Sequence, residues 1–198
     1  MINQEILKHY NFKIIDYNKE EYVFEKGALP RYYFQIISGG IKMSYYNEKG
    51  NEFIQGIFGK DKSFGEPPLL ANLTYPANAI TLRKTSIIKI PKEDFERLLL
   101  ENQEVHINLT KKLSKRLYFK AVMANGITSN SAEEAILSLF DYIKTNVHNK
   151  SAPFSCKIDL TRKNIAGLTG LTTETTIRKI KEMEANKRLK IIDSKVYY

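Results

Sequence analysis

The sequence predicts an α+β chain: an antiparallel β-roll of jelly-roll type, one long helix, then a small helical head closed by a hairpin. Three observations carry this. Short apolar runs closed by glycine fill the first half of the 198 residues. A single apolar stripe at helical spacing follows from Glu104. Near the C-terminus, two threonine-led helical segments flank a turn that contains Gly170.

The runs come in order. "EYVFEKG" ends at Gly27, and "RYYFQIISGG" ends at Gly39 and Gly40. "IKMSYYNEKGNEFIQGIF" reads as two alternating strands around the turn Asn47-Glu48-Lys49-Gly50, and "AITL" and "SIIKI" follow. Short strands with glycine punctuation argue a barrel or roll. Its core candidates are Val23, Phe24, Phe34, Ile36, Ile41, Ile54, Ile57, Ile80, Leu82, Ile87 and Ile88.

From Pro91 the pattern turns helical. "PKEDFERLLLEN" puts proline and then acids in a first turn, where the dipole favours them. A longer helix is expected from about Glu104 to Met123. Its stripe is Val105, Leu109, Leu113 and Leu117, flanked by Lys111, Lys112, Lys115 and Arg116. Such a stripe suits core packing or a dimer seam. "NGITSNS" reads as a hinge that breaks the helix. Ser131, with Glu134 three residues on, is a capping-box pattern that opens the next helix, whose buried face is Ile136, Leu139, Phe140 and Ile143. "NVHNKSAPF" reads as a polar loop.

Thr161 and Thr172 are good N-caps, and Leu168-Thr169-Gly170-Leu171 between them is a turn of helix–turn–helix length. "LKIIDSKVYY" reads as a hairpin around Asp193-Ser194-Lys195, which makes the head a winged helix–turn–helix. Ile180, Met183 and Thr176 should face inward. Thr173, Glu174, Arg178 and Lys181 should share the outer face. Glu174 and Arg178 stand four apart, as a surface ion pair or as base readers, Arg for guanine and Glu for cytosine.

Composition sets bounds. The net charge is +9, and residues 157–198 hold ten Lys and Arg against five Asp and Glu. A basic C-terminal head suggests a polyanion, most often nucleic acid. Cys156 is the only cysteine, so an internal disulfide and a cysteine-held cluster are excluded. No apolar run approaches the ~20 residues of a membrane span, and no secretory signal is visible. A reducing cytoplasm is the expected home. No nucleophile–base set or phosphate loop with lysine stands out, so an enzyme is not expected, and the Gly65-Glu66-Pro67-Pro68 stretch reads as a rigid loop.

With its elements in this order, the chain resembles the Crp–Fnr family of bacterial transcription regulators from about Tyr22 to Tyr198. The resemblance rests on "FEKG", "YYFQIISGGIK", the "NEKG" turn, "FGE" at Phe64-Gly65-Glu66, and above all "LTRKNIAGLTGLTTETTIRKIKEMEANKRLKI". It implies a cyclic-nucleotide-binding-like roll at 1–101, a dimerisation helix and hinge at 102–128, and a winged helix–turn–helix at 129–198. It implies a homodimer on inverted-repeat double-stranded DNA, with RNA polymerase as a further partner. No cofactor and no metal are expected, because the cysteine cluster of oxygen-sensing members is absent and His9, His106 and His148 are scattered. Glu174 and Arg178 match the reading positions, and the DNA-binding set is Thr161, Arg162, Thr172, Thr173, Glu174, Thr175, Ile177, Arg178 and Lys181. The Val105–Leu109–Leu113–Leu117 stripe becomes the dimer interface.

The departures concern the effector. The implied pocket is Gly65, Glu66, Tyr75, Pro76, Ala77 and Lys120. Glu66 matches the ribose contact of cyclic-AMP-responsive members, but Thr74-Tyr75-Pro76-Ala77 stands where they hold the phosphate with arginine and serine. Lys120 and Ala121 replace their adenine contacts. No cyclic-AMP response is therefore expected, and the effector is left unknown. Either Tyr75 and Phe119 fill the pocket, or Lys120 meets an anionic ligand; the alternative for Lys120 is a solvated helix residue or an ion pair with Glu66. Thr173 stands where cyclic-AMP-type members have a second arginine, and Ile177 where oxygen-sensing members have serine. The alternative to a DNA regulator is a small-molecule sensor whose C-terminal domain contacts protein.

Overall fold

The structure is a computed structural model that describes residues 2–48, 50–128 and 131–198, without the side chains of Gln4 and Ile127. Lys49 of the expected turn, and Ser129 and Asn130 of the expected hinge, lie outside the described residues. The chain divides into two compact units, Met1–Tyr45 with Ile54–Ser114, and Tyr46–Phe53 with Lys115–Tyr198.

The first unit holds the roll, except Tyr46 at the end of its fourth strand and Glu52 and Phe53 at the start of its fifth. Its strands are β1 (Lys13–Tyr17), β2 (Tyr22–Phe24), β3 (Tyr32–Ser38), β4 (Gly40–Tyr46), β5 (Glu52–Gly59), β6 (Ser63–Phe64), β7 (Asn78–Thr81) and β8 (Thr85–Pro91). They form two four-stranded sheets, β1-β8-β3-β6 and β2-β7-β4-β5. Phe24, Phe34, Ile36, Ile41, Phe64, Tyr75 and Ile87 close the interior. Of the expected core, Val23, Ile57, Ile80 and Leu82 are only half-buried. β3 is buried along most of its length because its sheet is covered on both faces. Ile36 faces the roll interior, whereas Tyr33 joins a second cluster built with helices α1 (Gln4–Leu7), α3 (Lys92–Glu101) and α4 (Gln103–Thr128). A strand buried on both sides reads as one continuous apolar run, which is why this run was plain in the sequence.

Several elements were not legible. β1 carries Ile14 outward at 55% exposure, which blurs its alternation. The Gly65–Pro68 stretch is not a loop: Glu66–Ala71 is a short helix, α2, with its prolines in the first turn, where missing N–H groups cost nothing. The helix after Glu101 does not break at Asn125-Gly126 but runs to Thr128. A Cβ at Gly126 would come within 2.8 Å of Ser138 Oγ and 3.3 Å of Ala135 Cα. This glycine therefore gives close approach between two helices rather than a hinge.

The stripe on α4 also needs correction. Leu109 is buried in the second cluster of the roll, and Val105 and Leu113 pack against it. Three of the four residues expected at a dimer interface are thus committed to the chain's own core. Only Leu117 stands out, 72% exposed.

The second unit continues with α5 (Ala132–Tyr142), a π-helical turn Ile143–Val147 in place of the start of the expected loop, β9 (Lys157–Ile158), α6 (Arg162–Thr169), α7 (Thr173–Ala185), β10 (Lys190–Ile192) and β11 (Lys195–Tyr197). Ser131 caps α5 by accepting the Glu134 N–H at 3.3 Å. Ile136, Leu139, Phe140, Ile158, Ile165, Ile180, Met183 and Val196 are all buried. Among the described residues, no helix is long and apolar enough to cross a membrane.

Candidate nucleic-acid interface

The head is set by its caps. Thr161 Oγ1 accepts the Asn164 N–H at 3.1 Å and starts α6. The helix stops at Gly170, whose φ of 72° is left-handed and whose N–H is bonded to the Ala166 carbonyl. Thr172 Oγ1 then accepts the Thr175 N–H at 3.2 Å and starts α7. These two bonds fix the turn between the helices. Thr169 and Thr176 are buried, but each hydroxyl donates back along its own helix, to the Ile165 carbonyl at 2.8 Å and the Thr172 carbonyl at 2.9 Å. Ile180 and Met183 are fully buried, so α7 has one fixed face and one free face.

The free face carries Glu174, Ile177, Arg178 and Lys181, all exposed, with Thr173 and Thr175 half-buried beside them. Ile177 is 39% exposed. Arg178 does not pair with Glu174. Its Nη1 lies 2.9 Å from Glu182, which also holds Lys179 at 2.6 Å. These bonds, Lys179's first, hold the Glu182 carboxyl below the usual carboxylate range. Glu182 was missed in the sequence, although its spacing of three and four from two cations is readable there. Glu174 is left at the first turn of α7, where the helix dipole suits a carboxylate.

β9, β10 and β11 form a three-stranded sheet in the order β10-β11-β9. The hairpin turn is Asp193-Ser194, both with positive φ (47° and 63°), the backbone signature of a tight two-residue hairpin. Lys195 opens β11 rather than completing the turn. Between α6, α7 and this wing lies a cleft of about 450 Å³ with Thr161, Arg162, Lys181 and Lys195 at its polar edge and Ile177, Ile180 and Ile191 as its apolar floor. Desolvation pulls the Arg162 guanidinium down, opposed by Glu184. Lys195 is tied to Asp159 at 3.3 Å. Three cations around a cleft beside an exposed helix face suit a phosphodiester backbone with base edges next to it.

Of the residues expected at an effector pocket, those of the roll centre on Gly65 and Tyr75. Glu66 is fully buried at the first turn of α2, and Gly65 before it has φ 79°. Tyr75 is buried and stacks on Phe24, centroids 3.5 Å apart and planes 7° from parallel. A Cβ on Gly65 would meet these same rings at 3.2 and 3.4 Å. The Tyr75 N–H is bonded to the Ala28 carbonyl at 3.0 Å, and its carbonyl accepts the Gly27 N–H at 2.8 Å. Burial pushes the Tyr75 phenol well up. Ala77 is buried beside it, and Pro76 is exposed. Lys120 is an exposed residue of α4 in the other unit. Phe119 packs on Tyr142, ring centroids 4.6 Å apart.

Residues 14–102 match the family model of the cyclic nucleotide-binding domain. The chain is 22% identical over 115 residues to lysophospholipase NTE1 of Pyricularia oryzae, 57% of this chain but 8% of that protein's length. It is 24% identical over 186 residues to the transcriptional activator protein Anr of Pseudomonas aeruginosa, 89% of this chain and 75% of that one. The solved structure of the c-di-GMP-responsive global regulator CLP of Xanthomonas campestris superimposes with a TM-score of 0.76 at 20% identity, over 98% of this chain and 96% of that chain.

Proposed function

We propose that this chain is a homodimeric, sequence-specific DNA-binding transcription regulator of the Crp–Fnr type, acting in the cytoplasm; its likeness to Anr and its fold support the reading. One observation carries the reading: α7 is anchored by Thr176, Ile180 and Met183 and offers Glu174, Ile177, Arg178 and Lys181 to solvent beside a basic cleft. Arg178 donates twice to a guanine, and Glu174 accepts from a cytosine. Arg162, Lys181, Thr161, Thr172, Thr173 and Thr175 face phosphates, which set register without reading sequence. The regulator then recruits or blocks RNA polymerase.

The dimer seam of this proposal is the exposed line Ile107, Thr110, Ser114, Leu117, Ala121, Ala124 and Thr128, which alternates steps of three and four along α4. That is a coiled-coil spacing, and its small side chains allow close approach. Its hydroxyls suit burial: Thr110, Ser114 and Thr128 each donate to the carbonyl four residues back, at 3.0, 2.9 and 3.0 Å. A second copy can cover them without leaving donors unpaired.

Sequencing the duplex fragments that the purified protein selects from a random pool tests the function. An inverted repeat with half-sites about 34 Å apart is expected. Absence of any enriched sequence would sink the proposal in favour of a head that contacts protein.

The roll of this proposal works without cyclic AMP, because Tyr75 and Phe24 occupy each other's faces where a ligand would enter. Calorimetry with cyclic AMP at millimolar concentration should show no saturable heat. Micromolar binding that also tightens DNA binding would overturn this part.

A further inference from the structure

The strand register places two lysines where the roll should be apolar. Lys13 of β1 lies opposite Lys89 of β8, and Lys89 in turn lies opposite Phe34 of β3, which lies opposite Phe64 of β6. Directly paired residues share a face, so this cross-strand row runs lysine, lysine, phenylalanine, phenylalanine. Its phenylalanines belong to the roll interior. The next row in from it, Ile15, Ile87 and Ile36, is wholly aliphatic. The lysines therefore stand at one end of the core face.

Like charges directly opposite on paired strands are destabilising. Lysine on an edge strand is a common guard against unwanted pairing, and β1 is an edge. That accounts for Lys13 but not for Lys89, which is on an internal strand. Lys89 is half-buried, with its ammonium 3.9 Å from the Tyr32 centroid and 6.0 Å from that of Phe34. The rings hold a cation in place but do not neutralise it. Among the described residues, neither lysine has a salt bridge. Asp94 and Glu101, near this end of the roll, are already engaged. Asp94 takes Asn11 at 2.9 Å and Arg97 at 2.6 Å, and Glu101 takes the Tyr10 hydroxyl at 2.6 Å.

The two lysines open onto a cleft of about 480 Å³ that Tyr10, Phe12, Tyr32 and Pro91 also line, and no carboxylate lines it. Phe12 is 38% exposed. The volume suits a small organic ligand. We propose that this cleft is a binding site for a small organic phosphate with a flat apolar body, its anionic head between Lys13 and Lys89 and its body against Phe12, Tyr10 and Pro91. Lysine suits the head, since it offers a compact point charge with three donors. The site is separate from the Gly65–Ala77 region and does not depend on the DNA-binding proposal.

Calorimetry of the full chain with phenyl phosphate tests it, beside inorganic phosphate and the variants Lys13→Gln, Lys89→Gln and Lys13→Arg. Saturable phenyl phosphate binding is expected, about tenfold weaker in each glutamine variant and retained in Lys13→Arg. Inorganic phosphate should bind about tenfold more weakly than phenyl phosphate, for lack of the apolar contacts. In phosphate-free buffer the melting temperature of Lys13→Gln should not fall below that of the unsubstituted protein, since an opposed charge has been removed. This exposed substitution also keeps the test valid should Lys89→Gln fold poorly. Absence of saturable heat at millimolar phenyl phosphate overturns the proposal. So does binding that survives both glutamine substitutions, which would belong to the basic cleft beside α7, or inorganic phosphate binding as tightly as phenyl phosphate.

Discussion

Leu117→Glu is expected to give a folded monomer that has lost most of its affinity for an inverted repeat. Leu117 is 72% exposed in the single chain, so the substitution removes nothing from either core. In a two-fold seam it would set two carboxylates against each other in an apolar contact. Loss of the second reading head forfeits an avidity on the order of 10²–10⁴. Sedimentation and DNA titration read the two effects together. Leu109→Ala is the counterpart. Leu109 is 7% exposed within the roll's second cluster, so its truncation should cost about 2–5 kcal/mol of folding stability and leave association of the folded fraction intact. A Leu117→Glu protein that still sediments as a dimer would move the seam away from this face of α4.

Arg178→Ala should cost about 1–3 kcal/mol on the selected site and relax the preference at one G·C pair. Before it can read a base, Arg178 must leave Glu182, an exposed pair weakened by solvent screening, so the exchange favours the base. Lys181→Ala should weaken all duplexes alike and lower the salt slope by about one. A variant lacking Arg178 whose selected consensus is unchanged would show that the base reader is another residue.

The pair of helices α6 and α7 was the most legible part of the chain because its signals are local. Thr161 and Thr172 cap within their own first turns, Gly170 supplies the positive φ, and the spacing of Thr176, Ile180 and Met183 fixes which face is buried. The β-roll was legible where strands are covered on both sides, as in β3, and illegible where they are not, as in β1. Gly126 misled for a related reason. A glycine in a helical pattern breaks the helix or admits a neighbour, and only the position of Ser138 tells which.

The sequence by itself determined the succession of roll, long helix and head, the two capped helices of the head, the outward residues Glu174, Arg178 and Lys181, and the basic bias at the C-terminus. Tertiary structure alone decided which stripe of α4 is already covered and what fills the space beside Gly65. It also set the two lysines of β1 and β8 side by side across the sheet. The physical reason is range. Caps, turns and helical faces arise between residues at most four apart, where spacing is geometry. The partners of Leu109, Tyr75 and Lys89 come from distant strands and helices, and which of many apolar or charged candidates meets them is set only when the sheets close.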